Sequence, residues 1–376
     1  MKTENGYKKD ELIIRMTRLV FEFKIWNRFD HRWLTALNQS ILMIVFTALF
    51  TILFAVFSEC NAGDKDDINH PVQITYETSP VQSFSVSGDG KWLVCSLERE
   101  GFTDLWLYSA DPSNVVVPKR LTNDPSYESS PSFSPDGRYI AYTGTDFDVK
   151  GDIYILDIKN VNRLPVRLTG RKTEDGGPCF GKSGSILYFH QILPGETLPK
   201  LVSIDLSDDT KKIHRVKTGT DGSDPSISPD GKKICYVSRS ADQSGAIMLF
   251  DQETGETKQV TRGPFIDSAP TWSTDGNAIL FSRIFLDTDK DGKFSRRDNA
   301  TIFKIFPNAK KTKPFPLTIF NELCGRPKTA KGKLFFISDK NRGVGNCFSI
   351  SEKGMIPDAE TPELQIKFAN RLRESI

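Results

Sequence analysis

"ESSPSFSPDGRYIAYT", residues 128–143, divides into an alternating polar and apolar stretch, the tetrapeptide Ser134-Pro135-Asp136-Gly137 and an apolar run rich in β-formers. Proline presets one backbone angle, aspartate bonds its own backbone and glycine takes left-handed angles, so the tetrapeptide is a turn. With strand-like sequence on both sides it predicts a β-hairpin. The hairpin recurs as "VQSFSVSGDGKWLVCS", "DGGPCFGKSGSILYFH", "GSDPSISPDGKKICYV", "DSAPTWSTDGNAILFS" and "CGRPKTAKGKLFFIS". The turn glycines Gly90, Gly137, Gly184, Gly231, Gly276 and Gly332 stand 47, 47, 47, 45 and 56 residues apart. A fixed period in the forties marks an array of identical supersecondary units, and for β-units that means propeller blades.

Each unit holds two further strand candidates. The third strands read "TDLWLYS", "GDIYILD", "KLVSIDL", "GAIMLFD", "ATIFKI" and "NCFSI". The fourth read "PKRLT", "PVRLT", "HRVKT", "TKQVT" and "PFPLT", and the sixth unit has none after "NCFSI". A matching "PVQIT" at residues 71–75 precedes the first unit. The expected fold is therefore all-β: a six-bladed β-propeller of four-stranded antiparallel blades, closed by an N-terminal strand that covers an otherwise open sheet edge.

The segments Pro131 to Tyr142 and Pro225 to Tyr236 carry the pattern P-x-F-S-P-D-G-x-x-I-A-Y almost letter for letter. In this the repeats resemble those of the TolB-type propellers, over about residues 71–350. The resemblance implies a periplasmic interaction platform. TolB also has an α/β domain ahead of its propeller. Here about a dozen residues separate a hydrophobic run from the first strand, which leaves no room for that domain between them. Similar blades cap prolyl oligopeptidase-class peptidases, but their Gly-x-Ser-x-Gly nucleophile elbow does not occur in the sequence.

The longest interval, Gly276 to Gly332, contains "FLDTDKDGKFSRRDNATIF", residues 285–303. Asp287, Asp289 and Asp291 stand at positions 1, 3 and 5 of a twelve-residue loop, Gly292 at 6 and Asp298 at 12. That is EF-hand spacing: hard oxygen donors suited to calcium, with the Lys293 carbonyl at 7 and Ser295 at 9. Dockerin calcium loops, which this one resembles, also end in aspartate. The expected cofactor is one structural Ca2+ that orders an insertion in the fifth blade.

The formal net charge of +2 is unevenly spread. Residues 1–40 form a basic leader with a surplus of +3, which leaves −1 for the rest. A near-neutral body lacks the positive charge that phosphate backbones require, so no nucleic-acid partner is expected. Residues 41–57, "ILMIVFTALFTILFAVF", are uncharged and apolar, followed by a linker at 58–70, the propeller at 71–356 and a tail at 357–376. The run meets a membrane as a signal peptide or anchor, and the basic flank keeps residues before it inside. The remainder is exported to the periplasm or outer surface. Attachment runs through residues 41–57 themselves or an acylated Cys60, and cleavage after Ala62 is the third outcome. The six cysteines show no C-x-x-C spacing that would indicate a metal or redox site.

Glu128, Asp175, Asp224 and Asp267 recur one to three residues before a proline near the first strands. One reading is strand-entry hydrogen bonding. The other is a ring of carboxylates offered to a cation or basic peptide. The expected function is a non-enzymatic envelope scaffold that binds a protein or peptide partner; the rival is a propeller hydrolase or lyase acting on envelope polysaccharide or peptide.

Overall fold

The computed structural model describes residues 71–352, apart from intervals at 100, 115, 147–148, 161–162, 171, 240–244, 286, 288–297, 310–312, 319–323 and 340–343. Six four-stranded antiparallel sheets account for the described strands. Blade II shows the plan: Glu128–Phe133, Tyr139–Gly144, Asp152–Asp157 and Val166–Arg167, each paired with the next. Blade VI takes three strands from the end of the ring, Cys324–Ala330, Lys333–Ser338 and Asn346–Ser351, and its fourth, Val72–Gln73, from the beginning. Val72 pairs with Ser349 and Gln73 with Phe348. The displaced strand lies where the repeat count puts it.

Period-two alternation explains the core. Successive residues of a strand point to opposite faces, and in a ring both faces of a blade meet a neighbour. Thus Ile140 and Tyr142 of blade II pack with Val94 and Leu105 of blade I, while Ala141 between them packs with Leu187 and Phe189 of blade III. Six apolar clusters fill the six seams.

Two devices repeat with the sequence. In the turns of blades I, II, IV and V a serine hydroxyl donates to the aspartate two residues on: Ser87 to Asp89 at 2.6 Å, and Ser134 to Asp136, Ser228 to Asp230 and Ser273 to Asp275 at 2.5 Å. The following glycine sits at positive φ, +69° at Gly137 and +81° at Gly231, where a side chain would be strained. The second device is a threonine two residues past the end of the fourth strand, whose hydroxyl accepts an N–H from the third. Thr122 serves Leu105, Thr169 serves Ile153, Thr261 serves Ile247 and Thr75 serves Cys347 at 2.9 Å, and Thr318 serves Ile302 at 3.0 Å.

Antiparallel order sorts the connections onto two faces. The serine–aspartate turns and the third-to-fourth links lie on one. The fourth-to-first and second-to-third links lie on the other, where blade V leaves Ile279–Ile284 and re-enters at Thr301–Ile305. The aspartate insertion joins strand ends on this second face, called here the insert face.

Candidate functional site

The predicted carboxylates gather at the insert-face end of the first strands, inside those strands rather than ahead of them. Glu128 opens Glu128–Phe133, and Asp175 and Asp267 are second residues of Glu174–Phe180 and Ile266–Trp272. All three are buried. Each stands three residues before a proline and faces one residue of the second strand: Asp267 faces Arg283, Asp175 faces Gln191 and Glu128 faces Gly144. Asp224 differs. It directly precedes Pro225 and is half-buried, at a bulge where its φ is +50°. Ser130, Gly177, Ala269 and Arg326 hold the matching bulge in blades II, III, V and VI with φ from +47° to +60°.

The three buried carboxylates are satisfied to different degrees. Arg283 donates from Nε and a terminal nitrogen to both oxygens of Asp267, at 2.7 and 2.8 Å. Its guanidinium lies 4.5 Å from the Phe265 ring centre and 5.2 Å from those of Phe281 and Phe303, a cation–π enclosure for a fully paired charge. Asp175 accepts from the Gln191 amide at 2.9 Å and the Thr173 hydroxyl at 2.9 Å. Glu128 accepts from the Thr122 hydroxyl at one oxygen, and its Oε1 has no partner. Burial pushes its carboxyl up to about 8, and Asp104, Asp146 and Asp124 add to the rise against the lowering by the Thr122 bond.

His190, on the second strand of blade III, is another group this face holds. Its ring packs against Gly176 and Gly177, its Nδ1 is unpartnered, and burial pushes its pKa down while Asp224 opposes that. Of the predicted calcium ligands, Asp287 and the buried Asp298 are described, and Asp289, Asp291, Lys293 and Ser295 lie outside the described residues. Residues 41–57 and Cys60 also lie outside them. Among the described residues no three His, Cys, Asp or Glu side chains form a metal-binding group, and no helix is long and apolar enough to cross a membrane.

No family model matches the chain. It is 26% identical over 260 residues, 64% of its length, to the Tol-Pal system protein TolB of Francisella tularensis subsp. mediasiatica. The propeller is of the TolB type. The match takes in 56% of that relative, so the chain spans little more than half the length of the curated TolB proteins it matches. A protein of Agrobacterium fabrum is 29% identical over 186 residues, 46% of this chain and 60% of its own. Among solved structures, an oligogalacturonate lyase from Vibrio parahaemolyticus superposes with a TM-score of 0.51 at 13% identity, over 77% of this chain and 95% of the lyase. That likeness is one of fold. The TolB-type blades therefore supply a frame, and the carboxylates at its insert face distinguish one seam from another.

Proposed function

We propose that this chain is an exported, membrane-tethered scaffold of the cell envelope that binds a protein or peptide through the insert face of its propeller. The observation that supports the reading is the sequence match to TolB across the blades, together with a face at whose strand ends three of the predicted carboxylates stand, each in its own blade. A propeller face suits this work because its connections can vary while the sheets hold them rigid. The apolar run at 41–57 or an acylated Cys60 supplies the tether. Calcium at Asp287, Asp289, Asp291 and Asp298, with the Lys293 carbonyl and Ser295, orders the blade V insertion and plays no chemical part.

The test is affinity capture from cross-linked envelope with the tagged full chain, repeated with the insert-face substitution Asp124→Asn. Recovery of a protein by the wild type that is lost with the variant supports the reading. Turnover of envelope polysaccharide or peptide by the purified chain would replace it with the enzymatic one.

A further inference from the structure

The seam between blades VI and I joins the two ends of the repeat array, and two thiols lie against each other in it. Cys95 belongs to the second strand of blade I, Trp92–Arg99, and Cys347 to the third strand of blade VI, Asn346–Ser351. Their sulfurs are 3.8 Å apart, although 252 residues separate them in sequence. Both are fully buried free thiols. Strand alternation fixes their direction from either side. Val94 packs toward blade II and Cys95 therefore toward blade VI; Phe348 packs toward blade V and Cys347 therefore toward blade I.

A lone buried cysteine serves as a small apolar filler. Two that meet from opposite sheets, among Ile74, Val81, Phe84, Phe335 and Ile337, are already placed to bond. The bond needs no added group and no cavity, because it replaces two S–H hydrogens and draws one contact shorter. In the closed ring the pair is inert: burial, the neighbouring Cys347 thiol and the Glu77 charge push the Cys95 thiol well up, and only a thiolate attacks a disulfide. Before closure the case is different. Each cysteine then lies on a blade face that its partner blade has yet to cover, open to an oxidant in solution. The chemistry therefore belongs to closure, and burial afterwards shields the product from reductants.

We propose that Cys95 and Cys347 form a disulfide as the ring closes, fastening blade I to blade VI. The oxidant is itself a disulfide, small or borne by a protein. One cysteine thiolate attacks it and expels one half as a thiol, leaving a mixed disulfide; as the seam comes together the second cysteine attacks the sulfur of the first and expels the other half. The two cysteines give up two electrons and two protons, which leave with the two thiols. The placement of the pair is independent of location, whereas the supply of such an oxidant rests on the export proposed above. The bond crosses a seam and Val72–Gln73 completes a sheet, so the two secure different joints.

The experiment unfolds the reduced full chain in urea and detergent and refolds it in a mixture of oxidised and reduced glutathione, beside a sample kept in dithiothreitol. Peptide mapping by mass spectrometry, after acid quenching and thiol blocking, should find Cys95 linked to Cys347. The bond closes a long loop in the unfolded chain, so the linked form should melt about 5 °C or more above the dithiothreitol sample. Cys347→Ala should abolish that difference and Cys179→Ala should keep it, while the reduced wild type serves as an unlinked reference without any substitution. Recovery of no Cys95–Cys347 peptide, or links confined to the other cysteines, would overturn the proposal. The same mapping on whole cells decides the location: a bond formed on refolding but absent from cells would remove the exported reading and keep the pairing.

Discussion

Thr75 and Asn346 lie 271 residues apart and meet side chain to side chain: the Thr75 hydroxyl donates to Asn346 Oδ1 at 2.9 Å and accepts the Cys347 N–H at 2.9 Å. Thr75→Val keeps the shape and strands the Cys347 N–H in a buried seam, while Asn346 Oδ1 keeps the Glu77 N–H at 2.9 Å. The expected loss is about 1–3 kcal/mol, read as a lower midpoint in urea unfolding. Deleting residues 71–76 should cost more, because it also bares the edge of Asn346–Ser351. An unchanged midpoint in the deletion would sink the closure.

Arg283 and Asp267 form a buried ion pair, so removing one partner leaves a charge with nothing to answer it. Arg283→Met alone should cost about 3–5 kcal/mol. Adding Asp267→Leu should recover most of that. A double-mutant cycle by denaturant unfolding measures the coupling, and additive losses would contradict the bidentate pairing.

Glu128 sets a pH dependence of the opposite sense to an ordinary salt-bridged acid. Its carboxyl titrates near 8 in the fold against an ordinary 4.5, so between those values the unfolded chain ionises while the folded one holds its proton. Stability from this group is complete below the unfolded value and falls by at most about 1.4 kcal/mol per pH unit as pH rises through the window. Glu128→Gln has no proton to lose. It should melt close to the wild type under acid conditions and above it in mild alkali, and a difference independent of pH would refute the assignment.

Asp89, Asp136, Asp230 and Asp275 move the other way. The serine hydroxyl in each turn, with a backbone N–H behind it, holds the carboxyl below its ordinary 3.8. Their contribution is present above that value and disappears as pH falls through the lowered ones. Changing all four to asparagine should flatten the acid limb of a melting-temperature profile in that range. Retention of the full slope would place the acid sensitivity elsewhere.

Calcium is expected to raise the melting temperature of the full chain modestly, by about 1.4 kcal/mol of stabilisation at ten times the dissociation constant. Asp287→Ala/Asp291→Ala should abolish the shift, and chelation should leave the ring folded. Titration calorimetry with no calcium heat in the wild type would end the EF-hand reading of the insertion.

Legibility followed the range of the forces. The threonines of "KRLT", "VRLT", "KQVT", "FPLT" and "VQIT" can be read as a column because each directly follows a branched apolar residue at the end of the same short pattern. Blade III shows the limit: "HRVKT" carries one more residue, and Thr218 donates to the Thr220 carbonyl at 3.0 Å instead. The bulges were not legible. A residue before proline is ordinarily driven to extended angles, yet Ser130 and Arg326 are left-handed. Their N–H groups reach hydroxyls of the preceding blade, Ser83 at 2.9 Å and Ser282 at 2.8 Å, which no local rule contains. The same bulge separates Asp224 from Glu128, Asp175 and Asp267, which the proline spacing had grouped together. The pairing of Glu128 with Gly144 needed the strand register, since a glycine sixteen residues from a glutamate carries no signal of its own.

Blade VI, built from both ends of the ring, fixes an order of assembly. A chain emerging from its N-terminal side can complete five sheets from contiguous sequence, while Val72–Gln73 waits for Asn346–Ser351. That contact closes the longest loop in the described fold and pays its entropy only at the end, so it belongs to the slow, late phase of folding. Once made, the joint acts as a latch. Lifetime against proteases then depends on how often a two-residue strand lets go, more than on how firmly the other five blades are packed.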